Sequence, residues 1–289
     1  MEAAMTGKRP IVIGIGELLW DMLPAGKRAG GAPINVVYHA SKQCADGYAV
    51  SAVGKDALGD EIIGELEKNH IKYILDRNNY PTSVVEVHLQ DGIPSYEIIE
   101  DVAWDHIRLL PKAVAVVQKA DAVCFGTLAL RHTEARKTII SLIESASAQA
   151  IKFLDINLRQ HYYSKELLQE LLGLATILKI NDEEIVAVRK LLDLSGTDED
   201  VCKHLMKVYN LQYLAFTAGE NYSIIYSETE KSYLPTPRVV VEDTVGAGDA
   251  FSGTFICAIL HGKDMFHAHK AAVDTAAFVC TKSGAWPQY

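Results

Sequence analysis

The strongest constraint on the chain is a rhythm. Six short runs, at 11–15, 48–53, 122–125, 152–156, 176–180 and 213–217, are almost continuously apolar. Strands of a parallel sheet covered on both faces read that way. Between them apolar residues recur at helical spacing over 35–45, 57–69, 134–149, 165–174, 182–192 and 199–208, and again over 248–260 and 265–282. The alternation predicts an α/β fold, a doubly wound and mostly parallel sheet flanked by helices. Two further β-rich runs, 83–89 and 95–100, break the rhythm. They lie either side of Asp91-Gly92, a hairpin signal. With 18–23 they predict a small β-sheet lid over a ligand site, or else an antiparallel extension of the main sheet. The first option divides the chain into a large domain (8–16, 36–79 and 106–289) and a lid (17–35 and 80–105).

Charge narrows the partners. The 289 residues carry 37 acidic and 28 basic side chains, a formal net charge of −9. Such a chain has no global attraction for nucleic acid or an anionic membrane, which leaves a local pocket for a small anion. No run approaches the roughly 20 apolar residues of a membrane span, and residues 1–10 do not resemble a signal peptide. The five cysteines, Cys44, Cys124, Cys202, Cys257 and Cys280, are odd in number and show no metal-ligand spacing. Most of them read as small core residues, and a reducing cytoplasm fits them.

The densest chemistry is Asp243-Thr244-Val245-Gly246-Ala247-Gly248-Asp249. It follows the β-branched run 239–241 and opens a helical pattern, so it reads as a strand-to-helix junction. Glycines there let backbone N–H groups approach an anion at a helix N-terminus. Asp249, beside that anion, could accept a proton from an attacking hydroxyl. A plain glycine turn followed by an acid complementing the helix dipole would look the same. Two more strand ends carry polar groups where ligands gather in open α/β sheets. These are Asp155-Ile156-Asn157-Leu158-Arg159, with a guanidinium fork suited to phosphate, and Asn181-Asp182-Glu183-Glu184, which is also a good capping box.

Together these segments resemble the PfkB, or ribokinase-like, carbohydrate kinases, over about residues 10–287. Within the family the chain is most similar to the fructokinases, on the stretch 96–107. The resemblance implies ATP-dependent phosphorylation of a sugar hydroxyl. Asp249 would be the base, Gly246, Ala247 and Gly248 the anion hole, and Arg159 a contact to sugar or phosphoryl. Gly30-Gly31-Ala32-Pro33-Ile34-Asn35 matches the family's GGAPxN, which places Gly31 and Asn35 at the sugar; Asn35 would equally serve as an N-cap. Asp21 would hold two sugar hydroxyls, and Tyr96 of the lid would pack on the sugar face. Val53-Gly54-Lys55-Asp56-Ala57-Leu58-Gly59 matches a structural motif in which Asp56 caps a helix. Asn157, Asn181, Glu184, Thr217, Gly219, Gly246, Gly248 and Gly284 would surround ATP. Glu184 would hold Mg2+ through water, and Asp243 with the Val245 carbonyl would take a monovalent cation such as K+. Where the family usually has a glycine three residues after Gly219, this chain has Tyr222. The implied partners are a small sugar and ATP, with a homodimer through the lid as a further expectation. Ribose, a nucleoside, 2-keto-3-deoxygluconate and a non-catalytic regulatory role stay open as alternatives.

Overall fold

The computed structural model describes residues 8–23, 26–90 and 93–289, with the side chains of residue 23 and of 86–90 and 93–97 outside the description. Thirteen strands and nine α-helices are seen among these residues. The strands are β1 Ile11–Ile15, β2 Leu19–Leu23, β3 Gly26–Gly30, β4 Asp46–Gly54, β5 Lys72–Asn78, β6 Ser83–Gln90, β7 Ile93–Ile98, β8 Ala122–Phe125, β9 Ile151–Asp155, β10 Ile177–Asn181, β11 Tyr213–Ala218, β12 Tyr222–Tyr226 and β13 Lys231–Pro235. The helices are α1 Ala32–Lys42, α2 Ala57–Lys68, α3 Pro111–Val117, α4 Thr133–Ser145, α5 Lys165–Leu174, α6 Asp182–Leu191, α7 Asp198–Tyr209, α8 Ala247–Leu260 and α9 Met265–Cys280.

Nine strands form one sheet in the order β13-β12-β11-β10-β9-β8-β1-β4-β5. Seven of them, β11 through β5 in that order, pair in parallel; β12 and β13 add antiparallel at one edge. Alternation along each strand sorts the core into two layers. Ile13, Phe125, Leu154, Leu178 and Leu214 face α3 to α7. Val12, Cys124, Phe153, Ile177 and Ala215 face α1, α8 and α9. Both faces are covered, which is why the strands lack a polar alternate.

The remaining strands form a separate sheet, β3-β2-β6-β7, so the extension of the main sheet is not what the chain builds. β2 and β6 pair in parallel, because the whole of α1 to β5 intervenes between them. The small sheet is fastened by Trp20, whose indole N–H donates to the Leu58 carbonyl at 3.0 Å. The turn at Asp91-Gly92 lies outside the described residues.

Four strands and one helix were not foreseen. β3, β5 and β13 are half exposed and mix polar with apolar residues, so no continuous run marks them, whereas β12 is mostly buried but is only five residues long and carries a serine. α3 spans only seven residues, too few to show a period. Asp56 caps α2 as expected, accepting from Gly59 N–H at 2.7 Å, and also holds Thr82. Cys124, Cys202 and Cys257 are buried, whereas Cys44 is exposed and Cys280 half-buried. Among the described residues no helix is long and apolar enough to cross a membrane.

Candidate active site

The head of α8 organises the site. Gly246 is the N-cap with φ +80°. A Cβ there would sit 2.7 Å from Ala285 Cα, so both backbone angle and space demand glycine. No strand precedes it, against the expected strand-to-helix junction. Val239, Val240 and Val241 are exposed and outside any sheet. β13 ends at Pro235, and the chain is held instead by Glu242 N–H donating to the Cys280 carbonyl at 2.9 Å. The first N–H groups of a helix have no intrahelical acceptor. That of Ala247 turns to the Thr244 carbonyl at 3.2 Å. Gly248 lies over the Lys179 ammonium, where an added Cβ would stand 3.3 Å from Nζ.

Asp249, in the first turn of α8, faces Asn35. The Asn35 amide donates to Asp249 Oδ2 at 2.8 Å, and its carbonyl accepts from the Trp286 indole N–H, also at 2.8 Å. An indole only donates, so Trp286 fixes which end of the amide meets Asp249. Asn35 is not the N-cap of α1. Gly31 holds that position, with φ +120°, and Asn35 is buried one turn into the helix. A Cβ on Gly31 would fall 2.1 Å from the Glu17 carbonyl oxygen, and one on Gly30 would fall 2.8 Å from Asp21 Oδ2. The contacts thus bring Asp21, Gly31, Asn35 and Asp249 around one small region.

Three acids of this region are held above their ordinary range. Burial, reinforced by the Asp155 charge, lifts Asp249 to about 6. Burial, reinforced by Asp243, lifts Asp21 to about 6. Glu17 rises to about 7, through burial with Asp249 adding. Its Oε1 accepts from Ala32 N–H at 3.1 Å, while its Oε2 is buried with no hydrogen-bond partner among the described residues. Tyr96 stands on β7, and its side chain lies outside the described residues.

The opposite side is a closed network. Lys179 Nζ, in the middle of β10, lies 3.0 and 2.9 Å from the two Asp155 oxygens. Ser252 donates to Asp155 Oδ2 at 3.2 Å, tying α8 to it. Burial opposes the Lys179 charge, but the Asp155, Glu184 and Asp249 carboxylates more than offset this and hold it above the ordinary lysine value. Asn181 and Glu184 form the capping box of α6: Asn181 Oδ1 accepts from Glu184 N–H at 2.7 Å, and Glu184 Oε2 from Asn181 N–H at 2.9 Å. Glu184 Oε1 accepts from Leu158 N–H at 3.1 Å, anchoring the Asn157-Leu158-Arg159 loop. Burial pushes the Glu184 carboxyl up.

The other expected positions are looser. Arg159 is exposed and donates to its neighbour's Leu158 carbonyl at 3.1 Å, though its charge reaches Asp249 and Glu17. Asn157 has φ +41°. Asn181 and Thr217 sit opposite each other where β10 and β11 end, and Gly219 turns at φ +50°. Tyr222 lies beyond that turn. It pairs with Ala218 as the first residue of β12 and stacks on Tyr233, so the turn closes without a glycine there. Gly284, at φ +78°, donates to Asp243 Oδ2 at 2.9 Å. Arg28 Nη1 shares that oxygen at 3.3 Å, and Val245 N–H donates to Oδ1 at 3.0 Å.

Residues 24–288 match the profile of the pfkB family carbohydrate kinases. The chain belongs to the PfkB family. It is a sugar kinase, a phosphotransferase with an alcohol acceptor, on the ribokinase-like α/β fold. PH1459 of Pyrococcus horikoshii, described as an uncharacterized sugar kinase, is 29% identical over 96% of this chain and 92% of its own length. Its crystal structure in complex with ATP superposes with a TM-score of 0.82, covering 96% of this chain and 94% of that one. Fructokinase-1 of Oryza sativa subsp. japonica is 25% identical over 98% of this chain and 95% of its own. The fold alone is shared with the 2-dehydro-3-deoxygluconokinase of Thermotoga maritima, at 18% identity and a TM-score of 0.83 over 97% and 95% of the chains.

Lys179, Glu17 and Trp286 are among the residues of this candidate site that escaped the sequence reading. Lys179 was signalled by a cation inside an apolar strand, which demands a buried partner. Glu17 was an acid within an apolar run. Trp286 carried no signal, since nothing in its own segment points to Asn35.

Proposed function

We propose that the chain phosphorylates D-fructose at its C6 hydroxyl, using ATP. The observation that carries the mechanism is Asp249 at the head of α8, raised to about 6 and held by Asn35. At pH 7 it is mostly ionised, yet basic enough to take a proton. The sugar oxygen attacks the γ-phosphorus and its proton passes to Asp249. The new O–P bond forms as the bond to the β–γ bridging oxygen breaks, and ADP leaves. The Gly248 region of the helix head, with Gly246 and Ala247, and Arg159 face the charge that spreads over the transferring group. Asn157, Asn181, Thr217, Gly219 and Gly284 surround the nucleotide. Asp21, Gly31 and Asn35 orient the sugar, and Tyr96 covers it from the small sheet, which acts as a lid over the division given above. ATP use is supported by the likeness to PH1459 in its ATP complex, and fructose by the fructokinase-1 relative.

The residues fit magnesium only at a distance. Both Glu184 oxygens already accept backbone N–H groups, and a carboxylate retains lone pairs for water. Mg2+, which keeps several waters, would be held by Glu184 through water and would neutralise the phosphate charge. A potassium ion does not fit Asp243 as it stands, because that carboxylate already holds Arg28 and two N–H groups. No step is drawn through it. A cytoplasmic setting and a two-fold clasp through the small sheet complete the proposal; sedimentation tests the clasp.

The test is ADP release from Mg-ATP against fructose, ribose, glucose, adenosine and 2-keto-3-deoxygluconate. Fructose turnover far above the rest supports the reading. Turnover on another sugar keeps Asp249 and discards fructose. ATP binding without turnover on any sugar moves the weight to a regulatory binder.

A further inference from the structure

Outside the catalytic region, His106, His132 and Glu134 bring one donor atom each within 4.8 Å of one another, and no other such trio occurs among the described residues. His106 ends the 3-10 turn Ala103–His106 that follows the small sheet. His132 caps α4, and Glu134 lies in its first turn. The His106 ring is held in place. Tyr80 stacks on it with centroids 3.5 Å apart and planes 8° from parallel, and Nε2 lies 2.8 Å from Asp101 Oδ1. Its other nitrogen, Nδ1, faces Glu134 Oε2 at 3.6 Å. The His132 ring is 4.6 Å away, and His132 Nδ1 is buried with no hydrogen-bond partner among the described residues.

A neutral imidazole has one N–H. Given to Asp101, it leaves the Nδ1 lone pair pointing at a carboxylate, with a second unpartnered imidazole nitrogen alongside. Such a gap calls for a cation. A proton on His106 would satisfy Glu134 alone, whereas a metal ion takes one donor atom from each of the three residues. Two ligands about 2.1 Å from a tetrahedral ion stand about 3.4 Å apart, so the 3.6 Å pair is nearly set and the third donor needs only a small approach. A carboxylate on the far nitrogen of a ligating histidine is the usual second support, and Asp101 is in that place. His132 and Asp101 also line a cavity of about 460 Å³, so the trio lies at its edge.

We propose that His106, His132 and Glu134 form a binding site for a zinc-like divalent ion, with Asp101 orienting His106 and water completing the shell. Two imidazoles and one carboxylate suit zinc rather than magnesium or calcium. The ion would fasten the segment returning from the small sheet to the head of α4. Arg131, next to His132, already reinforces that joint by pairing with Asp105 and donating to the Ile99 carbonyl.

The test uses the full chain, stripped with chelator and free of ATP. Co2+ titration followed by visible absorption, and Zn2+ titration followed by calorimetry and thermal melting, should show one equivalent bound and a raised Tm. Asp101→Asn should weaken binding about 10–100-fold, the loss usual for an outer carboxylate. His132→Ala and Glu134→Gln should each weaken it at least tenfold and abolish the melting shift, with sugar kinase turnover unchanged. If His132→Ala fails to fold, the exposed Glu134→Gln decides alone. Absence of binding at micromolar zinc, or binding that Glu134→Gln and Asp101→Asn leave intact, overturns the proposal.

Discussion

The two sides of the active site handle buried charge in opposite ways. Around Asp155 the buried groups find partners within the protein: Lys179 answers Asp155, Ser252 adds a hydrogen bond, and Glu184, itself raised by burial, accepts from the Asn181 and Leu158 N–H groups. Around Asp249, Lys179 and Arg159 offset burial only in part, and among the described residues no ion pair reaches Glu17, Asp21 or Asp249. Glu17, Asp21 and Asp249 are all raised by burial, and one Glu17 oxygen has no hydrogen-bond partner among these residues. The first side is scaffold, complete in the protein alone. The second is left short of donors, which suits the proposed role of receiving the hydroxyls of a sugar.

The hardest blow to this contrast is Asp249→Asn. If Asp249 is the base, turnover should fall about 10²–10⁴-fold while nucleotide and sugar binding, read by calorimetry, persist. A change under tenfold would remove Asp249 from the chemistry. Next comes the scaffold. Lys179→Met strands a buried carboxylate, which costs about 3–5 kcal/mol. Urea denaturation should show that loss in the protein without ligand. An equal stability loss from Asp249→Asn would erase the distinction between the sides, since that change only neutralises an acid already costly to ionise.

The pH profile sharpens the same point. Asp249 must be ionised to accept a proton, and burial sets its value at about 6 against an ordinary value near 4. kcat/KM should therefore be flat above that value and fall about tenfold per unit below it. An acid limb near 4 would mean that the carboxyl is solvated when it works. Trp286→Phe should have a smaller effect. The ring still stacks on Tyr38, but the N–H that orients Asn35 is gone. Losing one hydrogen bond of about 1 kcal/mol should lower kcat about fivefold and move the acid limb, with melting temperature nearly unchanged. A loss of stability with an unmoved limb would make Trp286 only a packing residue.

The contrast also explains what could be read from sequence. The scaffold strands β1, β8, β9 and β10 announced themselves because burial on both faces leaves no freedom in residue type. β3 and β13 did not, being half exposed. Asp249, Gly246 and Glu184 were legible because each role is local: a left-handed cap, a first-turn acid, an N-x-x-E box. Asn35 reads in sequence as an N-cap, not as a buried helix residue facing Asp249, since Pro33 at the helix start moves the cap back to Gly31. Trp286 and Arg28 were illegible, because they act on partners 251 and 215 positions away. No local pattern encodes such a pairing.

Arg28 yields the smallest expected effect, a null one. A carboxylate that must bind a loosely held monovalent ion cannot already be paired and hydrogen-bonded at both oxygens without an exchange cost. Asp243 is in that state: its Oδ2 holds Arg28 and Gly284, its Oδ1 holds Val245. The guanidinium arrives from β3, so the small sheet itself supplies the positive charge there. Replacing potassium by choline at constant ionic strength should therefore change kcat less than twofold. Arg28→Ala should create a potassium dependence the parent lacks. Activation of the parent by potassium alone would show that Arg28 leaves Asp243 during turnover, and would move Asp243 from the completed side of the site to the side that waits for ligand.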